Sequence, residues 1–221
     1  MDCTPEKAAL AVLNNALWCD AVCRAHGCRT EWSESLWRRL DSPPPFYPHA
    51  ITLVPKVLSF TGVPAVIKDS FADLDFVTLG YEVMFDAEWI WAAPSVASPV
   101  LLWSRIASAA ELIEWEEAWR GEASDFIQFP STLLDERGVA FMAARKGGKI
   151  VAGCILNETL PAVGLSNVFG SHGGLWPDLR AAAALVFPGS LIVGYEGGES
   201  LSSALTAGFV SMGPLRVLIR K

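Results

Sequence analysis

SLIVGYEGGESLSSALTAGFVSMGPLRVLIRK, residues 190–221, is the stretch from which the fold can be read. Its apolar run at 191–193 runs into the turn-prone GYEGG of 194–198. A short helical pattern follows, carrying Leu201, Ala204 and Leu205. It opens at Glu199 or Ser200, whose side-chain oxygens can accept from the first orphan N–H groups of a helix. It is expected to stop at Gly208, because glycine enters the left-handed cap without a Cβ penalty. A β-rich run at 215–219 closes the chain. The predicted order is strand, helix, glycine cap, strand.

The same alternation extends upstream to residue 100. Residues 100–106 read as a strand, 109–119 as a helix with Leu112, Trp115 and Trp119 on one face, and 130–134 as the start of a short helix. Residues 139–145 and 149–156 read as strands joined by a KGGK turn, a strong hairpin signal. A strand at 162–169 and an Ala-rich helix at 177–187 lead into the ending. The order β-α-α-β-β-β-α-β-α-β calls for a mixed central sheet with helices on both faces, an α/β (α+β) class.

Ahead of this region lies APSVASP, residues 93–99, small and proline-flanked. It divides the chain into residues 1–93, a linker at 94–99 and a domain at 100–221. In the first part, 5–26 reads as a helix on Leu10, Leu13, Leu17 and Ala21, ended by Gly27. Residues 33–40 read as a second, short helix capped by Ser33, DSPPPFYP as a rigid loop, and 50–54, 64–68 and 82–91 as strands. Residues 79–91 also lie over 207–219 without a gap, matching Gly80 to Gly208, Tyr81 to Phe209 and Met84 to Met212. The expectation is a tandem pair whose first half is degenerate and lacks about thirty residues.

The A-x-x-x-GF element of Ala204, Gly208 and Phe209, with the element order from residue 100, resembles the last part of the GNAT (acyl-CoA N-acyltransferase) fold. The chain is similar to a bacterial branch of that superfamily with a degenerate N-terminal half. The resemblance implies a GNAT-like mixed sheet and acetyl-CoA, or a related acyl-CoA, as cosubstrate. It implies that the coenzyme pyrophosphate rests on backbone N–H groups at the start of the helix after the fourth strand, where a helix N-terminus and glycine backbone favour anions. Here that stretch is SNVFGSHGGLWPDLR, and Ser171, His172, Gly173 and Gly174 take the cofactor-binding role. Its spacing departs from the family's Q/R-x-x-G-x-G/A, so a glycine-rich turn that binds nothing stays open beside it. Asn167 and Val168, in the preceding strand, are carried over as backbone contacts to pantetheine; a buried Asn satisfied locally is the alternative.

Amine acylation needs a base for the amine proton and an acid for the thiolate. Glu196 and Tyr195, at the end of the following strand, are the catalytic pair expected here. The alternative is that Glu196 caps the next helix and Tyr195 belongs to the core.

Composition sets the remaining bounds. Hydrophobic residues make up 52% and charged residues 19% of the 221, so a large core is available. A net charge of −7, without a Lys/Arg cluster, argues against nucleic acid. The absence of a long apolar run argues against a membrane, and the polar start MDCTPEK against a secretory signal, so a cytoplasmic protein is expected. Cys19, Cys23 and His26 share one helix face, a pattern open to a soft metal but equally to small apolar packing; no metal is expected. The function expected is transfer of an acyl group to a small-molecule amine. The rival is a non-catalytic ligand-sensing or interaction module with a decayed coenzyme loop.

Overall fold

The computed structural model describes residues 4–42, 44–57, 62 and 64–221. The first helix, α1 (Thr4–Ala25), buries Ala11, Val12, Ala16, Cys19, Val22 and Cys23, while Leu13 and Leu17 are exposed. The leucine stripe expected from the sequence therefore does not face the core. Mainly small side chains do, together with Trp18.

Two short strands follow, β1 (Thr30–Trp32) and β2 (Leu36–Arg39), paired as a hairpin. This corrects the short helix expected at 33–40. Ser33 does not cap a helix. Its hydroxyl accepts from the Leu36 N–H at 3.1 Å and its own N–H donates to the Leu36 carbonyl at 2.9 Å, closing a tight turn. The Trp37 indole N–H donates to Asp20 of α1 at 2.8 Å and fixes the strand beneath that helix.

The chain continues through β3 (Ala50–Thr52), β4 (Val66–Asp69), the long β5 (Tyr81–Ala92) and β6 (Trp103–Arg105). Then come α2 (Ala109–Arg120), a 3₁₀ turn (Ser131–Asp135), β7 (Val139–Lys146), β8 (Lys149–Thr159) and β9 (Ala162–Gly170). The last elements are α3 (Leu175–Val186), β10 (Leu191–Glu196), α4 (Gly198–Thr206) and β11 (Val210–Arg220). Helix α2 carries a reciprocal cap, with the Ser108 hydroxyl accepting from the Glu111 N–H and the Glu111 carboxylate accepting from the Ser108 N–H. Gly208 has φ 88°, the left-handed stop read from the sequence.

All eleven strands join one mixed sheet in the order β1-β2-β3-β4-β11-β5-β10-β9-β8-β7-β6. Helices α1 and α2 pack on one face, around Trp115, Phe129, Phe141 and Ile155. Helices α3 and α4 pack on the other, around Leu156, Leu179, Ile192 and Phe209. Strand β5 lies between β11 and β10, so the segments before and after residue 94 share a continuous sheet. The order is mirrored about its centre: among the described residues β3–β4 and β9–β10 are the parallel pairs, and each lies one strand outside the central β11–β5 pair. In that central pair Ala87 faces Leu215, the residue it meets in the ungapped sequence match. Among the described residues no helix is long and apolar enough to cross a membrane.

A buried polar joint positions α1. The Asn14 side-chain amide donates to the Asn157 carbonyl of β8 at 2.8 Å, and the Asn157 amide donates to the Asn14 carbonyl at 3.1 Å. Gly164 of β9 lies directly beneath, where an added Cβ would sit 1.8 Å from Asn14 Oδ1 and 2.4 Å from Asn157 Oδ1. Gly164→Ala is expected to destabilise the protein by at least about 2 kcal/mol, through overpacking and loss of a buried bond. Gly173→Ala, with nothing within 4 Å of its added Cβ, should stay within about 0.5 kcal/mol of the parent; urea melts of the two variants measure both.

Candidate active site at the parting of strands β9 and β10

Strands β9 and β10 pair only over their first residues, Ala162 to Gly164 against Leu191 to Val193. Two features mark the place where the pairing ends. Gly194 brings β10 so close to β9 that an added Cβ would sit 2.8 Å from the Leu165 carbonyl oxygen. Further along, β9 bulges: Gly153 of β8 faces Phe169 and Ile155 faces Ser166, so Asn167 and Val168 together oppose one residue. Asn167 has φ 51°, a left-handed conformation that Asn tolerates better than most non-glycine residues.

A cavity of about 280 Å³ opens at this parting. The bulge supplies Ser166, Asn167 and Val168, and the end of β10 supplies Tyr195 and Glu196. Asn15, Trp18 and Cys19 of α1 roof it, and Lys68 of β4 and Tyr47 enter from the N-terminal segment. A larger cavity of about 550 Å³ lies between α2 and residues 124–131, away from the parting. There the Glu116 carboxylate is already engaged by Arg120 and by the N–H groups of Gln128 and Phe129.

Tyr195 stands against α1. Its ring meets Trp89 edge-on at 5.6 Å, and Lys68 Nζ lies 4.3 Å from its centroid. Glu196, the next residue, faces α4. Burial pushes its carboxyl up to about 7, against the lowering effect of a hydrogen bond from Ser200. The pair thus edges one cavity from opposite faces of the sheet.

Ser171, His172, Gly173 and Gly174 lie outside this cavity, in the turn between β9 and α3. Helix α3 begins at Leu175, two residues before the expected start, with Gly174 as its N-cap and Pro177 within the first turn. Among the described residues the N–H groups of Ser171, His172, Gly173 and Gly174 donate to no backbone carbonyl. The His172 ring lies beside Gly174, its Nε2 3.5 Å from Asp178 Oδ2. Burial would raise the Asp178 carboxyl, but the N–H groups of Val100 and Leu101, the Trp103 indole and His172 hold it below its usual range. Asp178 therefore ties the 93–102 segment to α3. The thiols of Cys19 and Cys23 lie in the core, raised by burial, with Cys23 at about 12. His26 Nε2 lies 2.9 Å from the Gln128 carbonyl, and no cluster of metal-ligating side chains occurs among the described residues.

The folded chain brings together Asn167, Val168, Tyr195 and Glu196, which sequence had singled out. It adds Lys68, Asn15 and Tyr47, which it had not. A lysine in the strand VIKD, flanked by residues that are buried in the sheet, was the available signal.

No protein-family model and no curated protein matches the sequence. Among solved structures the chain is similar to a GCN5-related N-acetyltransferase from Kribbella flavida, with a TM-score of 0.65 and 16% identity over 96% of this chain and 95% of that one. The chain has the GNAT fold. A functionally unknown conserved protein from Staphylococcus epidermidis superposes with a TM-score of 0.61 and 10% identity, over 86% of this chain and 92% of that one. A GNAT-family protein from Novosphingobium aromaticivorans gives 0.55 and 13%, over 95% and 99%. In GNAT terms β9 and β10 are the parted parallel strands, and α3 is the helix that follows the fourth strand.

The raised Glu196 carboxyl has a consequence for stability. Its folded value lies above the unfolded 4.5, so the folded state binds the proton more tightly. The resulting stability is fully present below 4.5 and is lost as pH rises through about 7. Glu196→Gln should melt higher than the parent above pH 7, with the gap closing below pH 4.5. A gap independent of pH would show that Glu196 is not buried as described.

Proposed function

We propose that the chain is an acyl-CoA-dependent N-acyltransferase that moves an acyl group from acetyl-CoA, or a related acyl-CoA, to a small-molecule amine. The observation that carries this reading is the parting of β9 and β10 around a cavity edged by the Asn167 bulge and by a carboxyl raised to about 7. The residues present fit the coenzyme. Four backbone N–H groups without backbone partners precede a twelve-residue helix whose dipole favours anions. Beside the bulge, the buried Ser166 hydroxyl has no partner among the described residues.

In this reading Ser171, His172, Gly173 and Gly174 hold the pyrophosphate, through backbone N–H groups. Asn167 and Val168 hold pantetheine by backbone bonds, as an added strand would. Acetyl-CoA supplies an acyl group already activated as a thioester. Glu196 takes a proton from the incoming amine, a task suited to a group titrating near neutrality. Tyr195 protonates the departing thiolate. We further infer that residues 1–93 form a reduced counterpart of residues 100–221, joined at 94–99. The mirrored strand order and the Ala87–Leu215 pairing support this.

Two experiments test the reading. Replacing both Gly173 and Gly174 by leucine, in the open turn, should weaken acetyl-CoA binding at least about 10-fold by calorimetry while leaving the melting temperature nearly unchanged. Undiminished binding would misplace the pyrophosphate, and no binding by the parent would favour the ligand-sensing module. Where an amine is turned over, kcat/KM should rise with pH through about 7 as Glu196 loses its proton, and Glu196→Gln should abolish that limb.

A further inference from the structure

Lys68 is a buried cation without a carboxylate. It is 4% exposed, its Nζ lies 2.7 Å from Asn15 Oδ1, and the Tyr195 ring covers another side. Among the described residues no Asp or Glu lies within ion-pair distance of it; its neighbour Asp69 instead accepts from the Leu74 N–H. Removing a charge from water without a counter-charge is unfavourable, so such a group is retained where something else neutralises it.

Two further donors wall the same cavity. Among the described residues the buried Tyr47 hydroxyl has no acceptor, and the Trp18 indole N–H beside it can only donate. The Ser166 hydroxyl, contributed by β9, is also buried without a partner among the described residues. The cavity therefore offers an ammonium and two hydroxyl protons, with Glu196 as its only carboxylate. Trp18, Phe46, Trp119 and Leu165 supply its apolar wall, and its volume suits a molecule smaller than a drug-sized ligand.

We propose that the amine acceptor carries its own carboxylate, as a small amino acid does, and that Lys68 Nζ and the Tyr47 hydroxyl bind that carboxylate. The inference rests on the acyltransferase reading for its word "acceptor". The binding site itself stands on the donors just described. The amine of such a zwitterion is then directed toward the parting of β9 and β10, where the proposed base lies. The N-terminal segment thereby contributes the acceptor's anchor, with Lys68 from β4 and Tyr47 from the loop before β3.

The test uses the full chain and matched probes: L-phenylalanine against phenethylamine, and L-leucine against isoamylamine. Binding is measured by calorimetry without coenzyme, and turnover by thiol release from acetyl-CoA and from succinyl-CoA. At least one amino acid should bind about 100-fold more tightly than its decarboxylated partner, since a site built for a polar group rejects the analogue lacking it. Lys68→Met should reduce that preference to within about 3-fold. Tyr47→Phe, which removes only a hydroxyl, should weaken amino-acid binding about 5- to 10-fold without lowering the melting temperature. Equal binding of acid and amine, or equal losses for both in Lys68→Met, would overturn the proposal. So would a Lys68→Met defect confined to succinyl-CoA, because the cation would then serve the acyl group. Amino-acid binding with the expected losses but no turnover would support the anion site while refuting the acyltransferase reading.

Discussion

The placement of everything else depends on two asparagines. Asn14 and Asn157 each donate to the other's backbone carbonyl, both buried, with Gly164 directly beneath them. A matched buried pair of this kind contributes modestly when complete but is costly to break, because the remaining partner stays out of water. Helix α1 presents mainly small side chains to the sheet, and packing of that kind says little about position along the strands. The paired amides supply the missing register. With Asn14 fixed on β8, the next residues of α1, Asn15, Trp18 and Cys19, come to roof the gap between β9 and β10.

Two groups, Lys68 and Glu196, set the chemistry of the gap. On the face toward α4, burial pushes the Glu196 carboxyl to about 7, within reach of neutral-pH proton transfer. The same roof buries Lys68, whose bond to Asn15 ties the N-terminal segment to the site. The mirrored order of the sheet brings this about: β4 and β10 flank the central β11–β5 pair from either side, and Lys68 of one strand meets Tyr195 of the other. A chain reduced to residues 100–221 would lose the roof, Lys68 and Tyr47, and with β5 the strand that separates β10 from β11.

The elements that local chemistry determines were legible in the sequence. The KGGK hairpin and the glycine stop at Gly208 need only turn and cap preferences, and they stand where expected. The last helix does not open at Glu199 or Ser200: it begins at Gly198, with Gly197 as its N-cap and no side-chain cap. The misreadings have tertiary causes. Residues 36–39 look helical beside Ser33, yet the Trp37–Asp20 bond and pairing with β3 draw them into the sheet. Leu13 and Leu17 form a plausible apolar stripe, yet close approach favours the small residues on the neighbouring face of α1. In the site, Asn167, Val168, Tyr195 and Glu196 were readable because they sit at strand positions that the element order fixes. Lys68, Asn15 and Tyr47 come from three separate segments, and only the folded sheet places them together.

The central claim is that the β9–β10 parting, continued into the turn before α3, receives acyl-CoA. Backbone amide NMR during titration with acetyl-CoA tests it most directly. The shift changes should cluster at Asn167, Val168, Ser171, Gly173, Gly174 and Glu196. Changes confined to the larger cavity between α2 and residues 124–131, or none at millimolar acetyl-CoA, would contradict it.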